Sequence, residues 1–467
     1  MSNLHNAKIQ QLSIRVEQFF KNKKPFRVFH GSTNSTRVLI FKEDETIDIS
    51  NLNQVVSMNV EKRTAIVEPN VSMDQLVRAT LKYGLVPPIV MEFPGITVGG
   101  AIQGNGGESS SFKWGAFNQT FNWYEVITPD GKILNTSADK YEDLYKGIPG
   151  STGTLAILTA AEIKLIPAKK YVALNYIPVQ SFLEAKTTLS LFSEQSVDFL
   201  DGIMFSKTSG VIIVGLFSNK PTAKIERFSR AHNQWYYLHV ENTLKINPEG
   251  WTEAVPIADY LFRYDRGAFW VGRFAFEMFE VPYTRFMRWL LNPILHTRKL
   301  YQALQESGAA QQHIVQDLVL PSNKFVEFAD FIDSELNTYP LWLCPMLPDT
   351  TSPFQLNNLK TELIINVGVW GSSIPNYDEF IKANRLIENK LLTLGGKKWS
   401  YAHSYFTESE FWSMYDKKHY NQLRQKYHAT SLPTIYDKIT VKKRHPVENK
   451  KAVLKTLFGL AKLRIEK

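Results

Sequence analysis

Apolar positions recur at helical spacing near the start of the sequence. Ile9, Leu12, Val16, Phe19 and Phe20 make one stripe that closes on Lys21, Lys23 and Lys24, and this predicts an amphipathic helix. A polar loop, Phe29 to Arg37, then leads into the apolar run Val38-Leu39-Ile40-Phe41, a predicted strand. Residues 46–70 alternate with the two-residue period of strands, as in Thr64-Ala65-Ile66-Val67-Glu68-Pro69. Ser72-Met73-Asp74-Gln75-Leu76 has the form of an N-cap entering a helix, with Leu76, Ala79, Thr80 and Tyr83 on one side and Gly84 as the stop. Leu85-Val86 predicts a short strand, and Trp123 to Leu134 a hairpin turning at Pro129-Asp130-Gly131. Another strand is expected over Ala161 to Pro167. Beyond residue 172 the runs Val211 to Phe217, Ile314 to Leu320 and Leu363 to Trp370 are continuously apolar, as fully buried strands are, with helical stretches between them. No apolar run reaches 18 residues, so no bilayer-spanning helix is expected.

Residues 94–115 interrupt these patterns with Gly95, Gly99, Gly100, Gly104, Gly106, Gly107 and Gly115. Glycine at this density lets a backbone approach a ligand closely and present its N–H groups. Ile96, Val98 and Ile102 argue against a flexible linker. Two further loops, Gly31 to Arg37 and Gly147 to Thr154, have the same Gly/Ser/Thr/Asn character and also abut strand signals. None is a G-x-G-x-x-G between strand and helix, and none is a Walker A loop, so the usual dinucleotide and P-loop readings fail.

At 467 residues and 44% hydrophobic, the protein has material for two to three domains. Its aromatic content, 13%, suits a flat apolar ligand or a membrane surface. The net charge of +9 is not organised as a basic stripe with stacking aromatics, which argues against nucleic acid. A lone cysteine, Cys344, excludes an intramolecular disulfide and a thiolate-cluster zinc site, and suits a reducing compartment. The N-terminus has no secretory h-region.

The order of motifs resembles the FAD-binding (PCMH-type) domain of the vanillyl-alcohol-oxidase-type flavoproteins, and more closely the delta(24)-sterol reductases. The resemblance rests on Val67-Glu68-Pro69, Pro94 to Gly100, Glu108 to Lys113 with Gly115, and Pro149 to Leu155 with Ala161-Glu162-Ile163. It continues through Ile166 to Val172, His239 to Asn242, Phe269-Trp270, Val315-Gln316-Asp317, Tyr339 to Pro345 and Glu410-Phe411-Trp412, covering most of residues 26–440. It implies an α+β fold: an FAD-binding domain of two α/β subdomains with the N-terminal helix (1–171), and a substrate domain on an antiparallel sheet (172–440) whose end returns to the flavin. A basic amphipathic tail (441–467) follows.

By the same resemblance, Gly31, Ser32, Thr33, Asn34, Ser35 and Thr36 would lie along the FAD pyrophosphate. Pro94, Gly95, Thr97, Val98, Gly99, Gly100, Ala101, Ile102, Gln103, Gly104, Asn105, Gly106, Gly107, Glu108 and Ser109 would wrap the phosphates, ribityl group and ring. Ser110, Gly115, Gly153, Thr154 and Ile163 would complete the pocket. Many relatives tether the flavin through a histidine in the first loop. Asn34 takes that position here, so FAD is expected to be non-covalent, with His30 the other histidine nearby.

Gln316 and Asp317 are polar residues inside an apolar strand, where each needs a buried partner or a ligand. Trp399 to Phe406 resembles the segment that brings a polar group to the flavin's pyrimidine edge, with His403 where relatives carry a charged residue. His403, Tyr405, Asp317 and Gln316 are therefore the catalytic candidates, and no metal is expected. The activity implied is FAD-dependent reduction of a carbon–carbon double bond (delta-24) in the aliphatic tail of a sterol or related isoprenoid, with NADPH as donor. An FAD-dependent oxidase or dehydrogenase of a small hydroxylated substrate and a non-catalytic flavin-fold membrane-associated binding protein stand as alternatives. Tyr283 to Leu291 mixes large apolar residues with arginines, and the tail after Lys442 is basic with Val453, Leu454, Leu457, Leu460 and Leu463. Both suggest peripheral contact with a cytosol-facing membrane such as the endoplasmic reticulum, or else a cytoplasmic protein.

Overall fold

The N-terminal stripe forms the helix Asn3–Lys21, which buries His5, Ile9 and Val16 and leaves Phe20 exposed. The computed structural model describes residues 3–31, 35–37, 39–444, 451, 455 and 464–466. Ser32, Thr33 and Asn34 of the first loop, and Val453, Leu454, Leu457, Leu460 and Leu463 of the expected tail, lie outside the described residues.

The helix lies beside a five-stranded antiparallel sheet in the order Val55–Asn59, Thr64–Val67, Ile157–Lys164, Phe121–Ile127, Ile133–Ser137. The expected hairpin is its last pair, with Thr128 N–H donating to the Lys132 carbonyl across the turn. Ser72 caps the helix Met73–Leu81 through a capping box with Gln75. Its buried face is Met73, Leu76, Val77 and Thr80, and Tyr83 is exposed rather than on that face. Gly84 stops the helix at φ +68°, a conformation glycine adopts without strain.

From Tyr171 the backbone enters an eight-stranded antiparallel sheet. Its order is Trp251–Pro256, Tyr171–Val179, Ser209–Ser218, Phe199–Ser206, Leu341–Met346, Ile364–Ser373, His313–Pro321, Lys397–Lys398. All three apolar runs are strands here. The protein is thus α+β, a flavin-type domain joined to a second domain on a large antiparallel sheet. The helices Lys417–Lys426 and Ile435–Ile439 then pack back on the first domain. There the Tyr420 and Thr154 hydroxyls lie 2.7 Å apart, and Lys426 pairs with Asp143 at 2.7 Å.

His5 ties the first helix to this sheet. Its Nδ1–H donates to Glu68 at 2.8 Å and its Nε2–H to Glu125 at 2.9 Å. Burial by itself would lower the imidazole's pKa, but the bonds to Glu125 and Glu68 outweigh it and raise it to about 9. The raised value means that this stabilisation is complete below the ordinary pKa of 6.5 and is lost as pH rises through about 9. His5→Gln is expected to lower stability by about 3 kcal/mol at neutral pH, since two buried carboxylates lose their cation. Thermal melts across pH 6–10 would check this: the wild-type midpoint should fall toward the alkaline end, and the variant should lack that limb.

Candidate functional site

A cavity of about 630 Å³ lies between the two domains, and its wall divides by chemistry. One part comes from the first domain and the C-terminal return, contributing Arg27, His30, Ser35, Arg37, Thr97, Gly99, Gly100, Ala101, Gln103, Gly104, Gly106, Thr152, Gly153 and Lys438. The other part comes from residues 268–310 and is almost wholly apolar, with Phe269, Phe274, Phe276, Phe279, Leu300 and Leu304 among its residues.

The glycine stretch folds into the short helix Val98–Gln103. Its N-cap Thr97 accepts a hydrogen bond from the Gly100 N–H at 3.1 Å. Gln103 Oε1 accepts from Gly153 N–H at 2.9 Å and from the Ser151 hydroxyl at 3.1 Å, which pins the third glycine loop against the second. Gly99 is required by close approach to the Pro69 backbone and ring, and Gly106 leaves room for the Met91 thioether. A Cβ on Gly99 would sit 2.7 Å from Pro69 Cβ, and one on Gly106 would sit 2.5 Å from Met91 Sδ.

Four basic residues crowd the polar wall. Arg37 donates to the carbonyls of Ser400 and of Ala402, the latter at 2.8 Å, and Lys438 donates to the Thr152 carbonyl. Among the described residues no carboxylate forms an ion pair with Arg27, Arg37 or Lys438. Burial, with Arg27 adding repulsion, lowers Arg37 to about 10. Burial together with Arg27 and Arg37 brings Lys438 to about 7, and burial with Lys438 takes His30 to about 4. His30 Nδ1, Arg37 Nε and Thr152 Oγ1 are buried donors or acceptors with no hydrogen-bond partner among the described residues. Uncompensated buried charge is costly, and a dianionic diphosphate would relieve it. The wall therefore fits FAD.

Where the two halves of the wall meet lie Glu92, Tyr301, Asp317 and Tyr401. Asp317 Oδ1 accepts from Asn366 at 2.8 Å, and Oδ2 accepts from the Tyr401 hydroxyl at 2.6 Å. Burial outweighs these bonds and pushes the Asp317 carboxyl up to about 6. Glu92 is raised further, to about 8, by burial and then by the neighbouring carboxylates Glu108 and Asp317. Both acids hold protons near neutral pH more readily than ordinary carboxylates.

The structure divides the expected site residues between the cavity wall and the positions behind it. Of the four catalytic candidates, Asp317 alone reaches the cavity. Gln316 projects from the other face of the strand and donates to Asn384 on the helix Tyr377–Thr393, as the two-residue strand period demands. His403 is buried with Nδ1 3.2 Å from the Thr36 hydroxyl, and Tyr405 stacks parallel to it over Phe380, so neither lines the wall. Among the cofactor candidates, Val98, Ile102 and Ile163 are core residues. Thr36 N–H donates to the Tyr401 carbonyl, Asn105 bonds Asn118, and Gly107 packs on Met346. Glu108 lies 3.6 Å from Arg263, Ser109 faces Tyr260, Ser110 donates to the Pro88 carbonyl, and Gly115 ends the helix Ser111–Trp114. Thr154 bonds Tyr420, and the Pro94 carbonyl accepts from Arg298. These residues shape the loop from behind. Gly31, at φ +79°, opens the first loop, and Gly95 lines the wall.

Sequence reasoning missed Tyr401, Glu92, Arg37 and Lys438. Tyr401 lies in a turn, where Ala402 N–H donates to the Trp399 carbonyl, and local pattern gave no signal that its hydroxyl meets Asp317. Lys438, on a five-residue helix 286 positions from Thr152, offered none.

Fold and wall together define an FAD-dependent oxidoreductase with a PCMH-type domain. Residues 6–137 match the FAD binding domain family. The protein is 31% identical to the delta(24)-sterol reductase of Macaca fascicularis over 453 residues, covering 95% of its own length and 87% of that relative's. It is 31% identical to the delta(24)-sterol reductase homolog of Caenorhabditis elegans, covering 94% and 88%, and 31% identical to the Arabidopsis thaliana delta(24)-sterol reductase, covering 82% and 74%. The chain belongs to the delta(24)-sterol reductase family.

Lys438→Met is expected to weaken FAD binding about 10- to 100-fold at neutral pH, the worth of a charged hydrogen bond of about 1.5–3 kcal/mol. In the wild type, affinity should decline as pH rises above about 7, because Lys438 must gain a proton to meet the diphosphate. Titration of the apoprotein with FAD at several pH values would check both, and the variant's profile should be flatter.

Proposed function

We propose that the protein reduces the Δ24 double bond in the aliphatic tail of a sterol, with NADPH as the electron source and FAD held non-covalently. The observation that carries this reading is a single cavity with half-buried cations that no described carboxylate pairs on one part of its wall, apolar and aromatic side chains on another, and Asp317 with Tyr401 where they meet. We assign the diphosphate to Arg27, Arg37, Lys438 and the Ser35 loop, and the main-chain wall of the cofactor to Thr97–Gly106 and Gly153. When bound there, FAD would supply hydride-transfer chemistry, with NADPH as the source of its electrons.

The protein's own residues supply the rest. An isolated alkene accepts hydride poorly, so its other carbon must gain a proton in the same event. Asp317 gives that proton, and its carboxylate is then held by the Tyr401 hydroxyl and the Asn366 amide. Glu92, facing the same space and protonated at neutral pH, is a second proton reservoir. The groups around Asp317 that titrate or carry polarity are Glu92, Tyr301, Tyr401, Asn366 and the Trp370 indole. The apolar wall from Phe269 to Leu304 takes the ring system and excludes water. Among the described residues no helix is long and apolar enough to cross a membrane, and we propose that substrate is collected at the surface of a cytosol-facing membrane such as the endoplasmic reticulum.

The deciding experiment is anaerobic visible absorption of the purified protein. The flavin band should bleach on NADPH and return on adding a sterol with an alkene in its tail. A band that ignores NADPH but bleaches with a small alcohol would establish an oxidase or dehydrogenase instead, and a band inert to both would leave a binding protein.

Asp317→Asn should keep its FAD and lose about 10²- to 10⁴-fold in the rate of flavin reoxidation by sterol. In the wild type that rate should fall as pH rises through about 6. Tyr401→Phe removes a bond that lowers the Asp317 pKa, so the falling limb should move to higher pH. Stopped-flow reoxidation across pH 5–9 would measure all three.

A further inference from the structure

The segment 278–295 has two faces. Its inner face, Met278, Phe279, Val281, Leu291, Ile294 and Leu295, belongs to the apolar wall of the cavity. On its outer face the short helix Arg285–Leu290 buries none of its residues. Phe286 is 63% exposed, Trp289 49% and Leu290 52%, and the Phe286 and Trp289 rings lie together with centroids 5.8 Å apart. Contiguous exposed aromatic and aliphatic surface is not retained on a water-facing helix without a partner to cover it.

The charge around this patch selects the partner. Arg285 is exposed and donates only to the His232 carbonyl. Arg288 donates to the Tyr283 carbonyl and lies over the Tyr283 ring at 4.6 Å. Among the described residues neither pairs with a carboxylate. Of the cations in residues 271–300, Arg273 is taken up by Glu277 at 2.8 Å and Arg298 by Asp74 at 2.7 Å, which leaves Arg285, Arg288 and Lys299 without a carboxylate partner among the described residues. A Trp/Phe/Leu knob flanked on its own helix by Arg285 and Arg288 matches an anionic phospholipid surface, where the rings enter the headgroup layer and the guanidiniums meet phosphates.

We propose that Phe286, Trp289 and Leu290 dock the protein on an anionic bilayer. The apolar part of the cavity would then load its substrate from the membrane through the segment 278–295. The inference rests on the sterol-reductase reading only for the cargo. The docking itself follows from the surface.

The test is flotation of the full-length FAD-loaded protein with phosphatidylcholine vesicles, with and without phosphatidylserine, for the wild type and for Phe286→Ser/Trp289→Ser/Leu290→Ser. None of the three residues lines the cavity, so the variant's flavin content reports that it is folded. The wild type should float with the phosphatidylserine vesicles, and the bound fraction of the triple variant should fall at least about tenfold at unchanged flavin content. Absence of wild-type binding, or equal binding by the folded variant, overturns the proposal. A wild-type dimer that the triple variant dissociates would assign the patch to a second copy of the protein and overturn it as well. Because flotation is read without turnover, docking by a protein that reduces no sterol supports the surface and overturns the substrate reading alone.

Discussion

Half-buried positive charge without a carboxylate partner among the described residues is the constraint on which the cofactor half of this molecule depends. Arg37 stands at the centre of it. Its guanidinium reaches the carbonyls of Ser400 and Ala402, its own carbonyl accepts from Gln305 at 2.8 Å, and its Nε has no described partner. Lys438 adds a bond to Thr152 from yet another part of the sequence. Five segments remote in sequence thus converge at one electropositive wall. That convergence is unfavourable until an anion enters, so ligand binding and folding of the wall are thermodynamically linked, and an anion at 100 times its Kd would add about 2.7 kcal/mol to stability.

The large sheet imposes the second constraint. Its strand His313–Pro321 is covered on both faces, with Ile314, Gln316 and Leu318 toward the helix Tyr377–Thr393 and Val315 and Asp317 toward the cavity. Desolvation by itself makes Asp317 a reluctant carboxylate, and Tyr401 and Asn366 moderate that tendency without abolishing it. An acid poised in this way is useful only where it meets substrate, and the strand's alternation delivers it there.

Strain accompanies the apolar half. Gly267, Ala268 and Phe269 are consecutive residues with positive φ, at 82°, 46° and 60°. For the two non-glycine residues this costs on the order of 1–3 kcal/mol each. The turn is held by Gly272 N–H to the Gly267 carbonyl at 2.8 Å and by Gly267 N–H to the Leu295 carbonyl at 2.8 Å, and Phe269 stacks on Tyr264 with centroids 3.8 Å apart. The result is a Phe269 ring fixed against Trp370 on the cavity wall, joining the segment that carries the exposed aromatic patch to the sheet that carries Asp317.

Local pattern alone determined much of this architecture. Period-two alternation and apolar runs located the strands of the first sheet and three of the eight in the second, Ser72 and Gly84 marked the ends of their helix, and the density of glycine between residues 94 and 115 marked a stretch that lines the cavity. These signals are legible because they depend on neighbours within a few residues. Tertiary structure decided which polar side chains share a space. It turned Gln316 away and Asp317 inward, buried His403 against Thr36 while placing Tyr401 on the acid, and brought Arg37 and Lys438 to one wall from opposite ends of the sequence. His5, a polar residue beside an apolar stripe, became the bridge between two carboxylates of the sheet. Such pairings are set by the meeting of distant surfaces, where desolvation and charge act over a few ångströms of space and leave no periodic trace along the sequence.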